Sequence, residues 1–266
     1  MMVETNHARN CDSGMQVPRE MLSVWRRFDS FPMETLTKAW YYGQTPGPRQ
    51  RPVELMEEHR QEHGTSGNCF DLTLWLLRDF AGAGIQAHAV GHDFGKEHAH
   101  VAVVAHDGLG REYLCDLGDQ WVQPVLIDTT SSAFDPGPLT GFFPGARVQL
   151  ARSGSNLEVT YLRSGGKSSR QTYDLAPVSM PDLLAGAETS QNLLRPPVCE
   201  LRLFGLDQCC HWEFSRWISH VSSACGLSIE YSNLTIPEWS RVIHERTGIS
   251  QDVVTRALSI YRGMDL

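Results

Sequence analysis

The sequence of 266 residues lacks the features that mark several common classes of protein. It has no run of about 18 apolar residues, the length that a membrane-spanning helix needs. Residues 1–16 contain no apolar stretch, so they do not resemble a secretory signal peptide. No cluster of Lys and Arg occurs, and 23 basic against 31 acidic residues give a formal charge of −8. These absences argue against a nucleic-acid or membrane partner and predict a cytoplasmic protein.

The cysteines lack the spacing of a disulfide framework or of a zinc ribbon. There are seven of them, an odd number, and no Cys-x-x-Cys pair occurs. We therefore expect reduced thiols, as in cytosolic proteins. One of them, Cys69, follows Gly67 and Asn68 and precedes a helical pattern. At a helix N-terminus the unpaired amides and the helix dipole favour the thiolate, which is the nucleophilic form of cysteine.

The order of the hydrophobic patterns predicts an α+β fold in three parts. Helical patterns in residues 1–84 predict an N-terminal helical bundle that carries Cys69. In residues 85–180, short segments rich in Val, Ala and aromatic residues alternate with turn signals, which predicts a central antiparallel β-barrel. Residues 181–266 combine a strand pattern with two helical patterns and are predicted to form an α/β lid.

Individual elements can be placed within this outline. Two short amphipathic helices are predicted between residues 18 and about 36. Longer helices are predicted at 53–63, 69–84, 237–248 and 251–263. Strands are predicted at 85–93, 98–107, 111–118, 121–127, 146–152, 156–163, 168–175 and 198–205. The segment 134–145, rich in Pro, Gly and Phe, is predicted to be a surface loop.

A histidine and an aspartate in two neighbouring strands can serve the Cys69 thiol. His98 and His100 lie on the same face of the strand 98–107, because side chains alternate along a strand. The next strand carries Asp116, and an antiparallel turn between them brings residues near 100 beside residues near 116. Asp116 can then orient the imidazole of His100, as the acid does in a catalytic triad. The sequence therefore predicts Cys69 as nucleophile, His100 as base and Asp116 as orienting acid.

Other residues compete for two of these roles. His98 has the same parity as His100 and stays an alternative base, although its spacing to Asp116 is less favourable. Asp107 and Asp119 are alternative acids, and both are more typical of turns. 

A metal site is a further alternative. His-x-His on a strand can bind a metal ion, and the ligands would be His98, His100 and Asp116 with His88 or His92. This interpretation leaves the position of Cys69 unexplained, so we predict that the site holds no metal.

Four motifs, in the same order, resemble those of the arylamine N-acetyltransferases. Residues 31–40, FPMETLTKAW, are similar to the PFENL box of that family, and residues 65–71, TSGNCFD, are similar to its RGGxCxE box around the catalytic cysteine. Residues 100–118 resemble the histidine strand and the following DVGFG motif, and residues 245–250 resemble the closing FGI. The order of helical region, barrel and lid also agrees, so the resemblance spans nearly the whole chain.

The resemblance implies both a fold and a chemistry. It implies a papain/transglutaminase-like catalytic core in which Cys69, His100 and Asp116 have the three roles given above. It implies a ping-pong acyl transfer in which acetyl-CoA or another acyl-CoA, or an acyl carrier, donates the acyl group to the cysteine. A small-molecule amine then takes the acyl group from the thioester, and no metal takes part.

The chain departs from the family motifs at several positions around the cysteine. Thr65 and Ser66 stand where the family has Arg and Gly, Asp71 stands where it has Glu, and Thr73 stands where it has Asn. Residues 118–120 read Gly-Asp-Gln instead of GFG. These changes indicate a divergent member with another acyl donor or acceptor. Two other functions stay open, namely a cysteine hydrolase or transglutaminase-like enzyme and a catalytically inactive relative that binds a ligand.

Overall fold

The computed structural model of the chain describes residues 17–42, 44, 47–94, 96, 98–205 and 209–264. The predictions for residues 1–16, and Cys11 with them, lie outside these ranges. In the described part of the chain, no helix is both long enough and apolar enough to cross a membrane. The described helices combine with two antiparallel sheets, which confirms the predicted α+β class.

The N-terminal region is helical, with one short strand in it. Its elements are α1 (Arg19–Trp25) with a 3-10 turn (Arg26–Phe28), β1 (Met33–Glu34), α2 (Leu36–Tyr42), α3 (Val53–His63) and α4 (Cys69–Gly82). The first short helix lies where the sequence predicts it, but the second begins only at Leu36. Met33 and Glu34 are extended because they pair with a strand from the C-terminal third of the chain, a contact that no local pattern reveals.

The predicted barrel is a nearly closed sheet of eight antiparallel strands in the order β5-β4-β3-β2-β9-β8-β7-β6. Its strands are β2 (Ala87–His92), β3 (His100–His106), β4 (Glu112–Cys115), β5 (Val125–Leu126), β6 (Leu139–Phe143), β7 (Ala146–Ser153), β8 (Asn156–Arg163) and β9 (Ser168–Val178). The prediction of a plain loop at 134–145 is wrong, since β6 lies within it. Leu139 and Phe142 are buried there, and β6 pairs with β7.

A second sheet lies in the C-terminal third, in the order β1-β10-β11-β12-β13. The elements of this part are α5 (Met180–Asn192), β10 (Val198–Phe204), β11 (Cys209–Ser215), β12 (Ile218–Ser223), β13 (Gly226–Ser232), α6 (Ile236–Thr247) and α7 (Gln251–Gly263). The sequence predicts β10, α6 and α7 but not α5 or the other three strands.

Two hydrophobic cores hold these elements together. The first joins α1 and α4 to the barrel and contains Trp25, Phe70 and Trp75. The second lies between the C-terminal sheet and helices α2, α6 and α7, and Trp239 and Tyr261 are fully buried in it. Burial of side chains of this size contributes about 1.5–3 kcal/mol each before conformational entropy is counted.

The second core joins the two ends of the chain. Helix α2 packs against α7, and β1 pairs with β10. The hydroxyl of Tyr261 in α7 donates a hydrogen bond of 2.6 Å to the carbonyl of Thr35, directly before α2. The division into parts at residues 84 and 180 stays a prediction.

Candidate active site

Cys69 is the first residue of α4, and a capping box fixes the start of this helix. The Asn68 side chain accepts hydrogen bonds from the amides of Phe70 and Asp71, at 3.0 and 3.2 Å. In return, the Asp71 carboxylate accepts a bond of 3.0 Å from the Asn68 amide. This reciprocal cap is a common helix start, and it places the partly buried Cys69 thiol in the first turn, where the helix dipole favours an anion.

A buried carboxylate holds the loop that precedes the cysteine. Glu34 in β1 accepts hydrogen bonds from the amides of Gly67, at 2.7 Å, and Ser66, at 3.3 Å. The Ser66 hydroxyl donates to the carbonyl of Pro32 at 2.5 Å. Segment 32–34 therefore sets the path of the loop. This contact explains how the motif at residues 31–40, which is about 30 residues before Cys69, belongs to the same site.

A buried arginine, Arg51, lies beside the loop in which Thr65 stands at the Arg position of the family motif. Thr65 stands at that position, and its hydroxyl is buried without a hydrogen-bond partner among the described residues. Arg51, which is 3% exposed, lies beside the same loop. Its guanidinium is 3.7 Å from the Asp71 carboxylate and 3.5 Å from the carbonyl of Ser66. Sequence reasoning missed Arg51 because nothing local links it to Cys69.

His100 and Asp116 meet at the open end of the hairpin formed by β3 and β4. His100 begins β3, and Asp116 follows the last residue of β4. Nε2 of His100 lies 2.7 Å from Oδ2 of Asp116. The hydroxyl of Tyr173 donates to the same oxygen at 2.7 Å, and the amide of Asp119 donates to Oδ1 at 2.8 Å. Asp116 is fully buried, so these bonds replace its water.

The charges of this pair stabilise each other. Burial lowers the pKa of His100, but the charge and hydrogen bond of Asp116, together with Cys69 and Asp119, outweigh it, so this pKa lies well above the usual value of 6.5. Burial likewise raises the pKa of Asp116, but His100, together with the hydrogen bonds from the Asp119 amide and Tyr173, outweighs it, and the net shift is downward. A hydrogen bond between His100 and Cys69 also raises the His100 pKa. Since Nε2 is bonded to Asp116, Nδ1 is the ring nitrogen left for the hydrogen bond with the Cys69 thiol.

Gly118 makes the close approach of these groups possible. A Cβ atom at this position would lie 2.7 Å from Cβ of Cys69 and 2.9 Å from Cε1 of His100. It would also lie 3.2 Å from Oδ1 of Asp116. The absence of a side chain at residue 118 therefore leaves room for the three groups.

A lysine with a shifted pKa lies near the cysteine. Nζ of Lys38 donates to the carbonyls of Leu193, at 2.7 Å, and Ser190, at 3.2 Å, at the end of α5. Burial lowers its pKa to about 8, and the charges of Cys69 and Asp71 act in the opposite direction. Sequence reasoning missed Lys38, although it lies inside the motif at residues 31–40.

The alternatives from the sequence lie as follows. His98 is exposed, and its Nδ1 is 3.4 Å from the guanidinium of Arg195, whereas the imidazole bonded to Asp116 is that of His100. Asp107 binds Arg111 in the turn between β3 and β4. Asp119, in contrast, lies directly beside the pair.

The metal site predicted as an alternative does not assemble among the described residues. The one group of potential ligands found there comprises His100, Asp116 and Asp119, whose ligand atoms lie within 4.8 Å of one another. His98, His88 and His92 are not part of it. In this group His100 and Asp116 are already hydrogen-bonded to each other.

Comparison with known proteins identifies the fold. No protein-family model matches the sequence, and no curated protein matches it. The structure of the Mycobacterium smegmatis arylamine N-acetyltransferase matches with a TM-score of 0.69 over 94% of each chain, at 15% identity. The Mycobacterium marinum enzyme in complex with CoA matches with a TM-score of 0.68 over 93% of this chain and 95% of its own, at 13% identity. For the Nocardia farcinica enzyme the TM-score is 0.67, the coverage 89% and 85%, and the identity 19%. The chain thus has the fold that its motifs implied, that of the arylamine N-acetyltransferases.

Proposed function

We propose that this protein is a cysteine acyltransferase that moves an acyl group from acyl-CoA to an amine by a ping-pong mechanism. The observation that carries the proposal is the chain of contacts from Cys69 through His100 to the buried Asp116. Fold likeness alone would not carry it, because one fold can host several functions.

In the first half-reaction, Cys69 accepts the acyl group. The thiol gives its proton to His100, and the thiolate attacks the carbonyl carbon of the acyl-CoA thioester. The bond from this carbon to the CoA sulfur breaks, and His100 returns the proton to the departing CoA thiolate. Asp116 keeps the imidazole oriented and stabilises its positive charge.

In the second half-reaction, an amine takes the acyl group. Its nitrogen attacks the carbonyl carbon of the Cys69 thioester, the C–S bond breaks, and an amide forms. His100 takes the surplus proton of the nitrogen and returns it to the Cys69 sulfur. The protein leaves the cycle unchanged.

Several observations support parts of this scheme. The M. marinum structure of the same fold contains CoA, which favours an acyl-CoA donor. The described cysteines are free, which agrees with the reducing cytoplasm in which we expect the protein. The contacts among Cys69, His100 and Asp116 argue against an inactive relative, since a binding protein does not need them.

Mass spectrometry of the intact protein tests the first half-reaction. After incubation with acetyl-CoA we expect one acetyl adduct, mapped to Cys69, that is absent from the Cys69→Ser variant. Cys225→Ser is the matched control, because this thiol is exposed and lies in the turn between β12 and β13 of the other sheet. Absence of any adduct with acetyl-CoA and with longer and carboxylated acyl-CoA donors would overturn the acyl-CoA mechanism.

The same acyl-enzyme separates a transferase from a hydrolase. A hydrolase yields free acetate whether or not an amine is present. We expect the amide to be the main product once an amine is added, and exclusive formation of acetate with every amine would favour the hydrolase.

A further inference from the structure

A second carboxylate, that of Asp119, lies beside the His100–Asp116 pair. One of its carboxylate oxygens lies within 4.8 Å of a ring nitrogen of His100 and of a carboxylate oxygen of Asp116. Its own amide donates to Oδ1 of Asp116, which fixes the backbone at this point. The mechanism described above gives Asp119 no role.

The Asp119 carboxylate is only partly engaged. The hydroxyl of Tyr161 donates to its Oδ2 at 2.5 Å, and within the described residues Oδ1 accepts no hydrogen bond. The side chain is partly buried rather than fully buried. One oxygen is therefore held in place, while the other keeps its capacity to accept a hydrogen bond beside the His100–Asp116 pair.

The pKa of the Asp119 carboxyl lies close to neutral pH. Burial and the neighbouring Asp116 raise its pKa to about 6, while His100 and Tyr161 act in the opposite direction. Above that pH the site holds two carboxylates and one imidazolium. A carboxylate with a raised pKa beside a catalytic imidazole is typical of a group that exchanges protons with a substrate.

The surroundings of Asp119 combine aromatic rings with further acidic charge. The ring of Tyr161 packs against that of Phe143 at 4.7 Å. On the facing strands β10 and β11, Glu200 lies 3.1 Å from His211, and the charge of Glu200 acts on Asp119. A carboxylate next to aromatic rings is a favourable place for an organic cation.

We propose that Asp119 makes the site selective for acceptor amines that are cationic in water, such as primary aliphatic amines, over neutral arylamines. The inference rests on the proposed acyltransferase function. The ammonium group of the acceptor binds to Oδ1 of Asp119, next to the acylated cysteine.

The proton balance gives this carboxylate a chemical task. An ammonium ion carries three protons and has no lone pair for attack. It gives the first to Asp119, and the neutral nitrogen then attacks the thioester, forming the C–N bond as the C–S bond breaks. The second proton passes to His100 and on to the Cys69 sulfur, and the third stays on the amide nitrogen. Asp119 releases its proton to water before the next cycle. A neutral arylamine does not need the first step.

Two isomeric amines provide a matched pair of probes. Benzylamine is an ammonium ion at neutral pH, whereas 4-methylaniline has the same composition but is uncharged. The protein is first acetylated and the adduct verified by intact mass, and its discharge by each amine is then timed. We expect Asp119→Asn to slow discharge by benzylamine about tenfold to hundredfold, the range for losing a hydrogen bond to a charged group. Discharge by 4-methylaniline is expected to change by less than about twofold.

The control is the same Asp-to-Asn substitution at an exposed position. Asp135→Asn lies in the loop before β6, where the side chain caps a turn, and both rates are expected to stay as in the unchanged protein. Equal slowing of both amines by Asp119→Asn, or no slowing of either, would overturn the selectivity of Asp119. Failure of the unchanged protein to form the adduct would appear before any amine is added, and it would overturn the acyltransferase function itself.

A second variant guards against misfolding of the first. Tyr161→Phe keeps the carboxylate but removes the hydrogen bond that stabilises its charge. We expect the pH profile of benzylamine discharge to move to higher pH and the 4-methylaniline profile to stay in place. Identical displacement of both profiles would contradict the role of Asp119.

Discussion

At the scale of single residues, the site depends on the ionised pair of His100 and Asp116. Asp116 is fully buried and the His100 side chain is 15% exposed, so an unpaired charge would be costly there. Tyr173 and the Asp119 amide complete the solvation of the Asp116 carboxylate. The carboxylate therefore favours the imidazolium that forms when His100 takes a proton from the thiol.

The pair makes the stability of the protein depend on pH in a defined direction. Because the pKa of His100 is raised above 6.5, its stabilising contribution is complete below that value and is lost as the pH rises through the raised pKa. The lowered pKa of Asp116 gives the opposite limb: its contribution is present above 3.8 and is lost as the pH falls through the lowered value.

Asp116→Asn tests the alkaline limb, where Asp119 is already ionised. Urea denaturation between about pH 6.5 and pH 9 should show a free energy of unfolding that falls less steeply for this variant than for the unchanged protein. Asp135→Asn should keep the original slope. Equal slopes for all three proteins would contradict an ionised pair.

Contacts between site residues on neighbouring strands could be predicted from the sequence, because strand register places them side by side. Contacts that depend on long-range packing could not be predicted. Alternation and one turn suffice to predict the contact of His100 with Asp116. Glu34, Lys38 and Arg51 reach the cysteine loop only through long-range packing, and no periodicity marks them. Asp119 was visible as an alternative acid, but its contact with Tyr161 depends on how β8 crosses the barrel.

At the scale of elements, the hairpin of β3 and β4 and the start of α4 must approach within van der Waals contact. Gly118 lies at their junction, where an added methyl group would meet Cys69 and His100 at once. The helix start is rigid because of its capping box, and the hairpin is anchored by its ladder, so neither can move away cheaply.

Gly118→Ala is expected to slow acetylation of Cys69 strongly. A displacement of about 1 Å between reacting groups can cost about a hundredfold in rate. Gly108→Ala in the same hairpin is the control, since an added Cβ there meets nothing within 4 Å. Timed intact-mass measurements compare the two, and acetylation at the same rate in both would contradict the tight junction.

Elements that are missed by sequence reasoning share a physical reason. The strands β11 to β13 carry polar side chains that form ion pairs rather than a hydrophobic stripe. His220 pairs with Glu213, and His211 pairs with Glu200 of β10. Helix α5 contains Pro181 and Gly186, which are typical of loops, but Pro181 lies in its first turn, where proline is tolerated. The barrel strands β7 and β8 were predictable because their buried residues alternate regularly, and β3 because its buried Val and Ala residues form a continuous run.

At the scale of the whole molecule, one buried arginine connects the second sheet to the first core. Arg202 in β10 donates to the carbonyls of Trp121 and Phe28, each at 2.6 Å. Its guanidinium lies 3.8 Å from the Asp29 carboxylate and is 5.3 Å from the centre of the Trp25 ring. The side chain is fully buried, so these contacts replace its hydration.

Arg202→Met is expected to lower the free energy of unfolding by about 3–5 kcal/mol. The variant removes the donor that the carbonyls of Trp121 and Phe28 share and the positive charge beside the Asp29 carboxylate. Arg246→Met removes a partly exposed ion pair with Glu230 and should cost at most about 1 kcal/mol. Urea denaturation at constant pH measures both. A loss for Arg202→Met no larger than that for Arg246→Met would contradict the connecting role.

The hydrogen bond from Tyr261 to the carbonyl of Thr35 has a consequence for biosynthesis. Thr35 adjoins Glu34, whose carboxylate holds the loop before Cys69, so helix α7 supports this loop from a distant part of the chain. Cys69 and His100 leave the ribosome long before Tyr261. The nascent chain therefore carries a thiol whose loop is not yet fixed, and acyl transfer is expected to begin only once α7 has been synthesised and has docked.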